Sequence, residues 1–252
     1  GGETTVTFNA QLPAGLLTRA AGDGLTATTL SYAVYEHEKA TPVITSEDEV
    51  TFENRQATVS LRLAAGKTYD FLFWADSYGK DAEGNPYTVN FDAQTLTVDY
   101  AEALSNEEAR DAFFGNATVT VKGAMSENIV LKRPFAQLNI GTNDMAEAQT
   151  SGLKTDALQT SVKVYGIFNS MNLMTGMVDG STDVTFGLND IPKEKFTVEG
   201  KEYDYLALNY LLVSDLKGLV NCEFTYTDGA TTEKRTIDNV PVQRNYRTNI
   251  FG

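Results

Sequence analysis

What is scarce in this chain narrows its chemistry first. One His (His37) and one Cys (Cys222) stand among 252 residues. That inventory cannot build a Cys/His zinc site, and a single Cys cannot close an internal disulfide. Basic residues are short: 20 Lys and Arg face 34 Asp and Glu, for a net charge of −14 and a pI near 4.5. Phosphate backbones are held by Lys and Arg, so nucleic acid is not expected as a partner, nor is an anionic membrane surface. No apolar run approaches the about 18 residues of a membrane span, and no signal peptide opens the chain. The opening Gly1-Gly2-Glu3, without Met, reads as a mature or trimmed chain and leaves the compartment unread. Neither a Gly-rich phosphate loop nor a repeat of about 20–50 residues is visible.

What is plentiful favours pleated strands. Thr occurs 31 times, with 12 Tyr and 13 Phe. Residues 4–12 alternate, with Val6, Phe8, Ala10 and Leu12 on one face. Residues 56–63 repeat the pattern, and 68–75 are apolar on both faces, as in a central strand. Further period-2 segments follow to residue 242, including one run over 129–140, for some fourteen strands in all. Turn pairs such as Asp23-Gly24 and Asp228-Gly229 separate them. Only Ser105-Asn106-Glu107-Glu108, continued to Gly115, carries a helix start and stop; residues 145–149 could add one turn. This pattern predicts an all-β chain of two β-sandwiches with one short helix, divided as 1–130 and 131–252.

Candidate chemistry is sparse. His37 is the one imidazole a Ser–His–Asp triad could use, and it stands at a charged strand end, where solvation is the simpler reading. Cys222 shares a face with Val220 and Phe224, as a small buried hydrophobe would. The oxygen-rich loops at 76–85 and 179–183 lack the alternate-position ligands of a calcium loop, so plain hairpin loops are expected. Glu107, Glu108 and Asp111 are explained by a helix start, and Asn116-Ala117-Thr118 is a bare glycosylation triplet. Trp74, Tyr78 and Tyr87 could stack on sugar rings, although Trp74 on a two-sided strand reads as core. The N-terminal strand is followed by a small-residue stretch, 13–24, with one basic residue, Arg19. Such a stretch is either an ordinary loop or a nicking site.

Several segments resemble the fimbrillins, the pilins of type V pili in gut and oral Gram-negative anaerobes. They are Thr18-Arg19-Ala20, Leu30-Ser31-Tyr32-Ala33-Val34-Tyr35, Phe73-Trp74-Ala75-Asp76, Arg110-Asp111-Ala112-Phe113-Phe114-Gly115, Leu131-Lys132-Arg133-Pro134-Phe135-Ala136-Gln137-Leu138-Asn139, Asn172-Leu173-Met174-Thr175-Gly176 and Val240-Pro241-Val242-Gln243-Arg244-Asn245-Tyr246-Arg247-Thr248-Asn249-Ile250. The resemblance implies two tandem transthyretin-like sandwiches and export to the outer-membrane surface as a lipoprotein precursor. It implies cleavage between Arg19 and Ala20 by an Arg-specific protease, and removal of the strand carrying Val6, Phe8, Ala10 and Leu12. Assembly would follow by strand exchange with other pilin subunits, with host or bacterial surface ligands as further partners. No cofactor or metal and no enzymatic activity are implied. A native end at Gly252 would imply a tip or accessory subunit; from a chain running on, nothing follows. The alternative is a glycan-binding surface lipoprotein.

Overall fold

The computed structural model describes residues 2–13 and 25–252. Alternation and β-branched residues set its strands. The first half holds β1 (Glu3–Gln11), β2 (Thr29–Glu36), β3 (Ile44–Thr45), β4 (Val50–Thr51), β5 (Gln56–Ala64), β6 (Thr68–Asp76), β7 (Tyr87–Asn90), β8 (Thr95–Val98), β9 (Phe113–Thr120) and β10 (Met125–Val130). The second half holds β11 (Phe135–Thr142), the helix α1 (Met145–Thr150), β12 (Gln159–Asn172), β13 (Val178–Asp190), β14 (Lys195–Val198), β15 (Lys201–Leu212), β16 (Gly218–Thr227), β17 (Thr232–Val242) and β18 (Arg247–Phe251). The chain is all-β.

The same wiring occurs twice. In the first copy, β1 lies between β5, antiparallel, and β10, parallel; β6 lies between β2 and β9, both antiparallel. In the second, β11 lies between β15, antiparallel, and β18, parallel; β16 lies between β12 and β17, both antiparallel. Each copy thus puts its opening strand in mid-sheet, alongside its closing strand. The two have no sequence period in common, because what recurs is strand order, not residue identity.

Three cores hold the layers. Val6, Phe8, Phe71, Phe73 and Leu131 fill the first sandwich. Leu138, Ile140, Val162, Phe186 and Leu211 fill the second. A third core occupies the seam, where Leu72 and Trp74 of β6 meet Tyr87, Leu96, Phe135, Tyr210 and Leu212. This is why 68–75 reads as apolar on both faces: Phe71 and Phe73 point into one core, Leu72 and Trp74 into another. Strand order crosses the expected boundary at 130/131. Although β7 and β8 precede it, β8 pairs with the end of β12, Thr97 opposite Ser170.

Two expectations need correction. The run 129–140 is not one strand: β10 and β11 belong to different sheets, joined through Leu131–Pro134. The helix expected over 105–115 is a single 3-10 turn, Glu108–Arg110. Its capping residues are spent elsewhere. The buried Ser105 hydroxyl accepts from the Asn209 amide at 2.9 Å, and Glu107 accepts the Leu104 N–H at 2.7 Å. Asp111, assigned to helix-start solvation, is fully buried and takes a two-pronged ion pair from Arg133, with Nη2 donating to Oδ2 at 2.9 Å. Phe113 and Phe114 then enter β9, one in the first core and one in the seam. Long-range burial outweighs local capping signals here. The helix that does form is α1, over the turn suggested at 145–149.

Candidate functional site: the lane of the first strand

Strand β1 is dry on one side and wet on the other. Val6, Phe8 and Ala10 are 0 % exposed and Leu12 is 5 % exposed. The Phe8 ring lies 4.0 Å from that of Phe71 and 6.1 Å from that of Phe73, centroid to centroid. The strand alternates because one face meets β6 across the core while the other meets solvent. Its backbone is laddered on both sides, from Glu3 to Gln11 with β5 and from Val6 to Gln11 with β10. Withdrawing it would open an apolar lane with two unpaired sheet edges.

From Thr5 onward the outward side chains are neutral amides and hydroxyls laced across the three strands. Thr7 and Ser60 hydroxyls are 3.0 Å apart, and Arg62 Nη1 donates to Thr5 Oγ1 at 3.0 Å. Asn9 sits at the centre. Its Nδ2 donates to Asn128 Oδ1 at 3.0 Å and Ser126 Oγ at 3.3 Å on β10. Its Oδ1 accepts from Gln56 Nε2 at 3.2 Å and Thr58 Oγ1 at 3.0 Å on β5. This ladder was not singled out from the sequence; polar alternation at Thr5, Thr7, Asn9 and Gln11 was its only signal. The chain leaves the lane where Leu12 N donates to Arg55 O at 2.9 Å and Arg55 Nη1 donates to Pro13 O at 2.8 Å. The expected cleavage residues Arg19 and Ala20 lie outside the described residues.

His37 is half exposed, and its Nδ1 lies 2.9 Å from Asp70 Oδ1. That bond raises the imidazole pKa. Burial of Asp70 works to raise its carboxyl, but hydrogen bonds from Thr118, His37 and the Glu38 backbone hold it below the usual range. The Thr118 hydroxyl donates to Asp70 at 2.6 Å, on the carboxylate instead of the imidazole, so this is not a triad arrangement. Cys222 is 1 % exposed on β16, and burial pushes its thiol up to about 12. Among the described residues, no three His, Cys, Asp or Glu side chains gather as metal ligands. The loop oxygens are used internally: Asp76 accepts from the Tyr78 and Gly79 backbones and from the Trp74 indole, Asp179 from Gly180 and Asp183 from Gly166. The Asn116 amide donates to Leu173 O at 3.2 Å.

The three aromatic candidates do not form an open platform. Trp74 and Tyr87 are buried edge to face at 5.2 Å, and Tyr78 is half-buried 6.1 Å from Tyr87. A cleft of about 660 Å³ touches Trp74 and Tyr87 and is lined by polar groups including Glu49, Lys80, Asp81 and Asp92; Tyr78 is not part of its lining.

A profile described as a family of unknown function (DUF6562) matches residues 1–252. No curated protein sequence matches the chain. Solved structures do. A fimbrial assembly protein from Parabacteroides distasonis is 13 % identical, with 99 % of this chain and 91 % of that chain covered and a TM-score of 0.54. A protein provisionally described as a cell adhesion protein, from Bacteroides ovatus, is 15 % identical, with 100 % and 93 % covered and a TM-score of 0.53. One provisionally described as polysaccharide binding, from Bacteroides thetaiotaomicron, is 12 % identical, with 94 % and 80 % covered and a TM-score of 0.54. At these identities the likeness is one of fold.

Proposed function

We propose that this chain, which belongs to the family of unknown function DUF6562, is a non-enzymatic structural and adhesive subunit of a cell-surface fimbria. In this reading it is exported as a lipoprotein precursor and cut between Arg19 and Ala20 by an Arg-specific protease. It then assembles by exchanging β1 for a strand of a neighbouring subunit. The observation that carries the reading is the lane: an N-terminal strand in mid-sheet, buried on one face, bound by no covalent link, and leading directly into the segment that holds Arg19. Burying a Val, Phe or Leu side chain is worth about 1.5–3 kcal/mol, so the dry face of β1 contributes on the order of 5–8 kcal/mol. The unfolded chain buries part of that surface already, which makes this an upper bound. Domain stabilities are of similar size, about 5–15 kcal/mol. A subunit with an empty lane therefore has a strong drive to take another strand by β-augmentation. The fold-level likeness to a fimbrial assembly protein agrees with this role.

Limited digestion with an Arg-specific protease, read by mass spectrometry, should release residues 1–19 first. Stripping the strand should lower the melting temperature, and a synthetic strand with the β1 alternation should restore it. Early cutting elsewhere with 14–24 left intact, or no thermal gain from the strand, would overturn the proposal.

The glycan-binding alternative rests on the polar cleft lined by Lys80, Asp92, Trp74 and Tyr87 and on the fold shared with a provisionally polysaccharide-binding protein. Binding on a glycan array that is lost in Lys80→Ala would establish it; an empty array would remove it.

A further inference from the structure

Apolar pockets alone do not define which strand the lane takes. Its dry positions recur every two residues, so a slip of two keeps an apolar face inward. The parallel ladder with β10 has evenly spaced bonds that look alike at every step. Register must come from side chains. Resting on the strand-exchange reading above, we propose that the Asn9–Asn128 amide pair selects the incoming strand and sets its register. The accepted partner is a strand from another subunit that runs parallel to β10. It presents an outward Asn opposite Asn128, between an inward aromatic residue at the Phe8 position and a small one at the Ala10 position.

A carboxamide offers two donors and an oxygen with two lone pairs. Asn9 uses all four, its donors toward β10 and its oxygen toward β5. It therefore reads both edges of the lane at once. Slipping the strand two residues forward along β10 sets the amide opposite Val130, an apolar residue, and leaves Thr7 facing Asn128. Slipping it two residues back sets Gln11 against Asn128. The pocket under Phe8, walled by Phe71 and Phe73, fixes what stands just before the amide.

The second copy supplies an independent instance. Asn139 of β11 stands directly opposite Asn249 of β18, and Nδ2 donates to Oδ1 at 3.0 Å, the same distance as in the first copy. The inward neighbours differ, Phe8 and Ala10 in one copy and Leu138 and Ile140 in the other, yet the amide pair recurs between the opening and closing strands. The pair is thus tied to the parallel junction and not to a shared packing.

The test uses the full chain carrying Ser60→Cys, with a specific protease site placed between Ala14 and Gly24. After cleavage, peptides spanning residues 3–12 compete for the lane under mild oxidation. Thr7 faces Ser60 in register with the two hydroxyls 3.0 Å apart, a spacing a disulfide can close, whereas Thr5 reaches it only after a two-residue slip. The parent peptide should cross-link from Thr7→Cys and not from Thr5→Cys. An Asn9→Val peptide should bind roughly tenfold more weakly, the scale of one or two neutral hydrogen bonds, and cross-link from both positions. Equal affinity with one register for the Val peptide would overturn this inference and leave strand exchange standing. Failure of every peptide to enter would overturn both.

Discussion

The two copies share a strand order and differ in what lies on the back of the opening strand. Every residue of β11 is buried, whereas β1 alternates between buried and partly exposed. The back of β11 is covered at the seam, where Phe135 joins Trp74, Tyr87 and Tyr210, and Gln137 and Asn139 are sealed beneath. The back of β1 is the Thr, Asn and Gln ladder in water. Taking β11 out would open two cores; taking β1 out opens one. Topology makes both opening strands central, but only β1 has a free back face, as the strand exchange proposed above requires. The comparison also separates two settings of the same amide pair: Asn9–Asn128 lies on the solvated back, whereas Asn139 is buried.

The largest expected effect would break the comparison by uncoupling the copies. Arg133 is 7 % exposed, pairs with the fully buried Asp111, and lies over the Phe113 and Tyr210 rings, 5.1 and 5.9 Å from their centroids. Arg133→Met takes the guanidinium away from the buried Asp111 carboxylate, and breaking such a pair costs about 3–5 kcal/mol. Denaturant unfolding followed by Trp74 fluorescence, at the seam, should shift strongly and separate from that followed by circular dichroism. Coincident, unshifted transitions would show the copies coupled by apolar contact alone.

A smaller effect sharpens the difference within the second copy. A Cβ on Gly141 of β11 would stand 2.5 Å from Phe196 Cζ and 3.3 Å from the Asp204 carbonyl oxygen. The Phe196 ring, stacked 4.3 Å from Tyr205, would have to move off the strand. Gly141→Ala should cost about 1–3 kcal/mol by overpacking and speed amide exchange in β18 while leaving β1 unchanged. Equal acceleration in β1 would mean the copies do not respond separately.

The smallest effect belongs to the first copy alone. His37 is raised by Asp70, so its share of stability is full below the ordinary imidazole value of 6.5 and fades as pH rises through the folded-state value. Asp70 is lowered, so its share is present above the ordinary 3.8 and is lost as pH falls through its folded-state value. The stability gap between the parent and His37→Gln should therefore be widest between about pH 4 and 6 and narrow above it. A gap independent of pH would show the contact to be uncharged.

The dry face of β1 was legible in the sequence because Val6, Phe8, Ala10 and Leu12 keep strict alternation. The two-sided burial of Trp74 was legible for the opposite reason, an unbroken apolar run. The segment 105–115 was not: a capping pattern is local, whereas the Asp111–Arg133 pair that displaces it joins residues 22 apart. The break between β10 and β11 was also hidden, since both halves of 129–140 alternate and only their sheet partners differ. Asn9 looked like any outward polar residue, because its importance lies in Asn128, 119 residues away.

That last separation bears on how the chain acquires its shape. β1 meets β5 across about fifty residues but must wait for β10 before its other edge is paired. Contacts so distant along the chain close late and slow folding. A chain emerging from its N-terminus therefore passes through a stage with the lane half built and one edge open. That stage exposes an edge of β1 itself, whereas the assembly proposed above needs β1 gone from between β5 and β10.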